Sequence, residues 1–222
     1  MSHPPHKKII WDRERVERYV QSTEKLLNYR YRPFAKKVLD SIKKFGIVDI
    51  PKILDIGCGP GSLLFEIKKL LPNTKLIGVD SSEQMLEIAK EKVEQKKIDG
   101  IELKKGFAEA IPLPDGDIDV VVCLNCLHDF RDAEKTIDQI YRVLRNGGLF
   151  ILKDKNGAYP RWKMRIHFIP LTFRIGLKRA RRYLKSEPFW LKPQQIHNWM
   201  EQIGFQEIVI LNKPDYLIIG KK

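Results

Sequence analysis

A doubly wound α/β fold is what this 222-residue sequence predicts: seven strands, mostly parallel, finishing in a C-terminal antiparallel hairpin, with N-terminal helices and a basic insert after the fifth strand. Three observations predict it. Apolar runs of strand length alternate with helical patterns from Lys52 to Asp154, as a parallel sheet covered by helices on both faces requires. The first of these runs leads straight into Gly57-Cys58-Gly59-Pro60-Gly61, with a helical pattern opening behind it. Near the end, the apolar runs 205–212 and 215–220 are separated only by Lys213-Pro214, too short a gap for a crossover helix.

The front of the chain, residues 11–45, reads as two helices. Val16, Tyr19, Val20, Leu26 and Leu27 interleave with charges, then Phe34, Val38, Leu39 and Ile42 recur at helical spacing. Pro33 suits a first helical turn and Gly46 a stop. Strands follow at 52–58, 75–80, 101–107, 118–125 and 149–154, with helices at 62–71, 83–96 and 132–144 between them. Asn146-Gly147-Gly148 reads as the cap and turn that end the last of these helices. A final helix at 193–203 precedes the hairpin. The expectation is one domain: a helical cap at 1–47, a ligand-binding core at 48–155, a basic lid insert at 156–192, and the last helix and hairpin at 193–222.

Composition narrows the class further. No apolar run approaches the roughly 18 residues of a membrane span. Residues 1–8 are polar with two prolines and lack the apolar core of a secretion signal. The odd count of three cysteines gives no disulfide framework, so a reducing cytoplasm is expected. The net charge of +13 is local in origin: residues 161–185 hold nine Lys/Arg and no acid, which leaves 32 basic against 28 acidic side chains elsewhere.

The glycine loop is the strongest functional signal. Asp80, nineteen residues past Gly61, closes the second strand where a carboxylate can accept from both ribose hydroxyls of a nucleoside. The G-x-G-x-G spacing differs from the G-x-G-x-x-G that seats a pyrophosphate on a helix N-terminus. Asp55, two residues before the first glycine, is placed to attract a cationic group.

With these residues the stretch 52–154 resembles class I, Rossmann-like S-adenosylmethionine-dependent methyltransferases, in particular the ubiquinone/menaquinone-type small-molecule enzymes. The resemblance rests on the Asp55–Gly61 loop, Val79-Asp80-Ser81 with Met85, Ala108-Glu109-Ala110-Ile111-Pro112-Leu113-Pro114-Asp115, Asp119-Val120-Val121-Val122 and Leu144-Arg145-Asn146-Gly147-Gly148. It implies S-adenosylmethionine as cofactor. Gly57, Gly59 and Gly61, with Cys58 between them, would contact the donor's amino-acid portion, and Asp55 its amino or sulfonium region. Asp80 and Ser81 would hold the ribose, Met85 would pack near the adenine, and Asn125 would line the methionine end. Where relatives often carry an Asp on the adenine amino group this chain has Phe107. The Ala108 backbone and Glu109 are expected to replace that contact, with Phe107 on the adenine or in the core.

Other features have two readings. Cys123-x-x-Cys126, with His128 close by, has the spacing of a metal or redox pair, and Cys58 could join it if the first and fourth strands are neighbours. It also falls at the end of a buried strand, where free cysteines pack as small apolar residues, and that reading expects no metal. His128 follows the fourth strand, where a loop histidine can act as catalytic base towards an acceptor hydroxyl or amine; its alternative is a tethering or solvent-facing side chain. Asp154 is a similar candidate. Cys126 lacks the Pro-Cys context of pyrimidine C5 chemistry, and no Asn/Asp-Pro-Pro-aromatic motif follows the fourth strand. Trp11, Tyr19, Tyr29 and Tyr31 read as helix packing at the place where relatives build a lid.

The insert mixes Trp162, Met164, Ile166, Phe168, Ile169, Leu171 and Phe173 with Arg161, Lys163, Arg165 and Arg174, and residues 178–185 read as a basic amphipathic helix. It is either a plain lid or a lid that attracts an anionic partner. A small or lipid-like acceptor ranks first, an anionic membrane surface is a candidate partner of residues 161–185, and nucleic acid or protein ranks behind. The acceptor and the oligomeric state are not encoded in any motif.

Overall fold

The computed structural model describes residues 13–160, 162, 163, 166, 169, 172 and 190–222. Helix α1 (Arg13–Leu26) passes through a π-helical turn (Leu27–Tyr31) into α2 (Arg32–Lys44). The core then runs β1 (Lys52–Ile56), α3 (Ser62–Leu70), β2 (Lys75–Asp80), α4 (Glu83–Gln95), β3 (Ile101–Lys105) and β4 (Ile118–Leu124). A 3-10 turn (Leu127–Asp129) leads to α5 (Ala133–Val143) and β5 (Leu144–Lys155). Helix α6 (Pro193–Ile203) and the hairpin strands β6 (Gln206–Leu211) and β7 (Asp215–Lys221) end the chain.

The strands form one seven-stranded sheet in the order β3-β2-β1-β4-β5-β7-β6. The first five are parallel, and β7 is antiparallel to both β5 and β6. Strand order reverses between β1 and β4, and in open α/β sheets the crevice at the carboxyl ends of such a pair takes the ligand. Alternation sends Ile53, Val120, Val122 and Ile151 to the face covered by α2 and α3. It sends Leu54, Val121, Cys123 and Phe150 to the face covered by α5 and α6. With both faces covered, β4 is an almost unbroken apolar run, as buried parallel strands are.

Local chemistry sets the ends. The Ser82 hydroxyl accepts from Met85 N at the start of α4, and the Asp132 carboxylate accepts from Lys135 N at the start of α5. Gly204 ends α6 at φ +114, its N–H bonded to Met200 O and Glu201 O.

The two front helices form as expected, with Pro33 in the first turn of α2, and are joined by a π turn in which Arg32 N–H bonds back to Leu27 O. The wider turn absorbs a proline that can neither donate nor tolerate a regular carbonyl four residues back. One expectation needs correction: Asn146-Gly147-Gly148 does not cap α5. That helix ends at Val143, and the glycines lie inside β5, where pairing steps from Ile118↔Leu144 to Val120↔Leu149. Two positions on β4 thus face five on β5. The bulge needs a left-handed residue (Gly147, φ +76), and a Cβ on Gly148 would stand 2.9 Å from Arg145 O.

Tyr216 is fully buried in β7, and its hydroxyl has no hydrogen-bond partner among the described residues. Burial, then the charge of Asp154, pushes its phenol well above the ordinary value. Tyr216→Phe is therefore expected to leave stability within about 0.5 kcal/mol or to raise it, measured by urea unfolding. A loss above about 1 kcal/mol would reveal a partner for the hydroxyl.

Candidate functional site

The site begins where β1 stops. Gly57 N and Cys58 N both donate to Val79 O, at 2.8 and 3.1 Å, turning the loop across the end of β2. Gly57 is left-handed (φ +72), and a Cβ there would lie 2.8 Å from Cys126 Sγ. Gly59 is also left-handed (φ +53), but its Cβ position is open, with Tyr19 Cε1 the nearest atom at 3.9 Å. One glycine lets the loop pack on β4's end; the other leaves a cradle.

Asp80 closes the loop from the side. Its Oδ2 accepts from Gly59 N at 2.8 Å and its Oδ1 from Ser82 N at 2.9 Å. Burial raises its carboxyl above the ordinary value, and these N–H groups partly offset that. Asp55 is 2 % exposed and accepts no hydrogen bond among the described residues. Burial pushes its carboxyl well above the usual range, and the charge of Asp80 adds to this. A buried carboxylate without a donor is costly, and a cationic ligand group removes that cost.

Asn125 follows β4 at φ +54, unusual outside glycine, with its N–H on Lys153 O at 2.8 Å. Both polar atoms of its side-chain amide are buried without a partner among the described residues. Orphaned amides and strained backbone gather where a ligand completes the structure. Met85 is buried at the start of α4, Cys58 is buried beside Gly59 and Ser81 is exposed at the end of β2.

The adenine side of the expected site is arranged differently from a packed core. Phe107 is half-exposed with the Arg131 guanidinium 5.4 Å from its ring centre, so its expected place in the core is not taken. Ala108 is buried, and Glu109 Oε1 accepts from Arg131 N and Asp132 N at 2.8 and 3.3 Å, fastening the turn before α5.

On the other side stands a pair whose members are 26 residues apart in the chain. His128 Nδ1 lies 2.7 Å from Asp154 Oδ1, and His128 N donates to Asp154 Oδ2 at 3.2 Å. Both side chains are buried, which corrects the solvent-facing alternative for His128. Cys123 Sγ and Cys126 Sγ are 3.2 Å apart, and Cys126 also reaches Ile56 O. Cys58 packs on the opposite face of the sheet, although β1 and β4 are neighbours. Burial raises the Cys58 and Cys123 thiols, and for Cys126 the Cys123 contact comes first, then burial, so none is a ready thiolate.

The donor set fits S-adenosylmethionine: a buried carboxylate suited to its amino group, a second acid closing the glycine loop, an orphaned amide and an open glycine. When bound, that molecule supplies a methyl group already activated on a sulfonium. A pH dependence follows. A cation beside Asp55 lowers its titration, so binding expels a proton and affinity rises with pH across the window between the bound and the raised free values, then flattens. Affinity for S-adenosylhomocysteine, which keeps the amino group, should climb by up to about tenfold per pH unit there and lose this slope in Asp55→Asn, by calorimetry. A flat profile in the parent protein would contradict this.

Comparison with known proteins agrees with the geometry. A family model described as a methyltransferase domain matches residues 49–203. A demethylmenaquinone methyltransferase of Symbiobacterium thermophilum is 32% identical over 177 residues, 70% of this chain and 68% of that protein. The uncharacterized methyltransferase YcgJ of Bacillus subtilis is 32% identical over 103 residues, 46% of this chain and 40% of its own length. Several relatives are thus matched over less than half their length. A solved structure of a putative S-adenosyl-L-methionine-dependent methyltransferase from Methanococcus maripaludis superposes with TM-score 0.75 at 23% identity, over 100% of this chain and 97% of that one.

Fold and site together define a class I, Rossmann-like methyltransferase domain whose cofactor is S-adenosylmethionine. The chain belongs to the methyltransferase-domain family.

Proposed function

We propose that the chain transfers a methyl group from S-adenosylmethionine to a small, quinone-related or lipid-like acceptor in the cytoplasm. The observation that carries the reading is the buried Asp55 carboxylate without a donor, next to the open cradle at Gly59 and the orphaned Asn125 amide. The acceptor class is supported by relatives named demethylmenaquinone methyltransferase and, in Geobacter, ubiquinone/menaquinone biosynthesis C-methyltransferase. Asp55, Gly57, Cys58, Gly59, Gly61, Asp80, Ser81, Met85, Ala108 and Asn125 hold the donor. Glu109 supports that side through the turn before α5. His128 takes the acceptor's proton. The protein's main work is to align the reactants and exclude water.

Transfer of labelled methyl to a 1,4-naphthoquinol lacking the ring methyl, in a panel with phenols, amines, RNA and protein, tests this. Turnover confined to RNA or protein would move the acceptor class. Donor binding without turnover on any acceptor would leave a binding protein.

A membrane-facing insert is favoured by one further observation. Trp162, Ile166 and Ile169 are helical, follow an i, i+4, i+7 pattern and are each more than half exposed, in a stretch rich in Lys and Arg. The insert leaves and returns at one point beside Asp154, where Gly157 N donates to Leu191 O. Sedimentation with phosphatidylglycerol vesicles, set against phosphatidylcholine vesicles and RNA, tests the partner. The basic helix expected at 178–185 lies outside the described residues, as does the cluster Arg179, Arg181 and Arg182.

A further inference from the structure

Asp154 is fully buried at the carboxyl end of β5, where two backbone N–H groups donate to it and the His128 ring meets it. Lys155 N donates to Oδ1 at 2.7 Å, His128 N to Oδ2 at 3.2 Å, and the His128 Nδ1 stands 2.7 Å from Oδ1. A carboxylate so placed is acceptor-only, so the proton of a neutral His128 belongs on Nδ1 and the lone pair on Nε2. The half-exposed Asp129 places its Oδ1 3.6 Å from Nε2. Among the described residues, the Cys123 and Cys126 thiols from β4's end and Tyr216 from β7 also stand on this side, each held neutral by a raised value.

We infer that Asp154 is the positioning residue of the acceptor side: it locks His128 by backbone and ring so that Nε2 faces the reaction as a proton acceptor. The inference rests on the reading of His128 as base and narrows the acceptor. Such a device serves an attacking group that must lose a proton, an aromatic or enolic hydroxyl or the carbon conjugated with it. The proton passes from that O–H to Nε2, and the electron pair it leaves forms the new bond to the methyl as the S–CH3 bond breaks and the thioether departs; after attack through carbon, the ring hydrogen moves off to restore the O–H, and the imidazolium releases its proton to water. An unprotonated amine needs no such help.

The test has two readouts. Long-range ¹H–¹⁵N spectra of the labelled chain, with His128→Gln to assign the resonance, should show neutral His128 protonated at Nδ1, a preference lost in Asp154→Asn. With the 1,4-naphthoquinol as acceptor, Asp154→Asn should lower kcat by roughly 100-fold or more at unchanged KM for the donor. The double variant with His128→Gln should be no slower than His128→Gln alone. A wild-type imidazole protonated at Nε2, or losses that multiply, would overturn the inference, and the spectrum decides it even where Asp154→Asn does not fold. If the wild type leaves every acceptor untouched while the Nδ1 tautomer is present, the acceptor reading fails and the positioning geometry stands.

Discussion

Gly59→Val should abolish measurable binding of S-adenosylhomocysteine, a loss of at least about 100-fold, while the far-UV spectrum of the protein stays native. The two loop glycines differ in a way that makes this a sharp expectation. At Gly59 an added Cβ meets no atom nearer than 3.9 Å, so the side chain grows into the cradle and not into the protein. Valine adds a second cost, because a β-branched residue at φ +53 is strained. Gly59→Ala separates the two: it pays about 1–2 kcal/mol for the left-handed backbone but fills little of the cradle. Gly57→Ala should behave in the opposite manner, lowering the unfolding midpoint through its 2.8 Å clash with Cys126 Sγ. If Gly59→Val bound the ligand normally in calorimetry, the loop would not be the donor's seat.

The second large effect is expected at Asp80. Replacing it by Ala should weaken S-adenosylhomocysteine binding by about 1.5–3 kcal/mol, roughly tenfold to more than a hundredfold, through two charge-assisted bonds to the ribose. The carboxylate also ties Gly59 N to Ser82 N, so the alanine variant frees the loop as well as the ligand. Asp80→Asn keeps one acceptor oxygen and should fall between the two. Equal affinities of the alanine variant and the parent protein would place the ribose elsewhere.

Much of this was legible in the sequence because the signals are local. The first strand, the three glycines and Asp80 lie within 29 residues, and β1, β2 and β4 announced themselves as short apolar runs. The hairpin was readable because Lys213-Pro214 leaves no length for a helix. What escaped depended on pairings across the sheet. His128 and Asp154 are both candidates in the sequence, but their partnership exists only because β4 lies beside β5. Gly147 and Gly148 look like a helix cap until the register step with β4 shows them to be a bulge. Cys58 was within conceivable reach of Cys123 until alternation along neighbouring strands put it on the other face. Glu109 matches the family's adenine segment in sequence, yet its carboxylate is engaged by the backbone ahead of α5.

Titrating the purified chain with S-adenosylhomocysteine and with NAD in the same calorimeter separates a methyl-donor site from a dinucleotide site. Micromolar binding of S-adenosylhomocysteine, lost in Gly59→Val, is expected, with no heat from NAD, because the loop spacing does not seat a pyrophosphate. Tight binding of NAD with none of S-adenosylhomocysteine would contradict the methyl-donor reading.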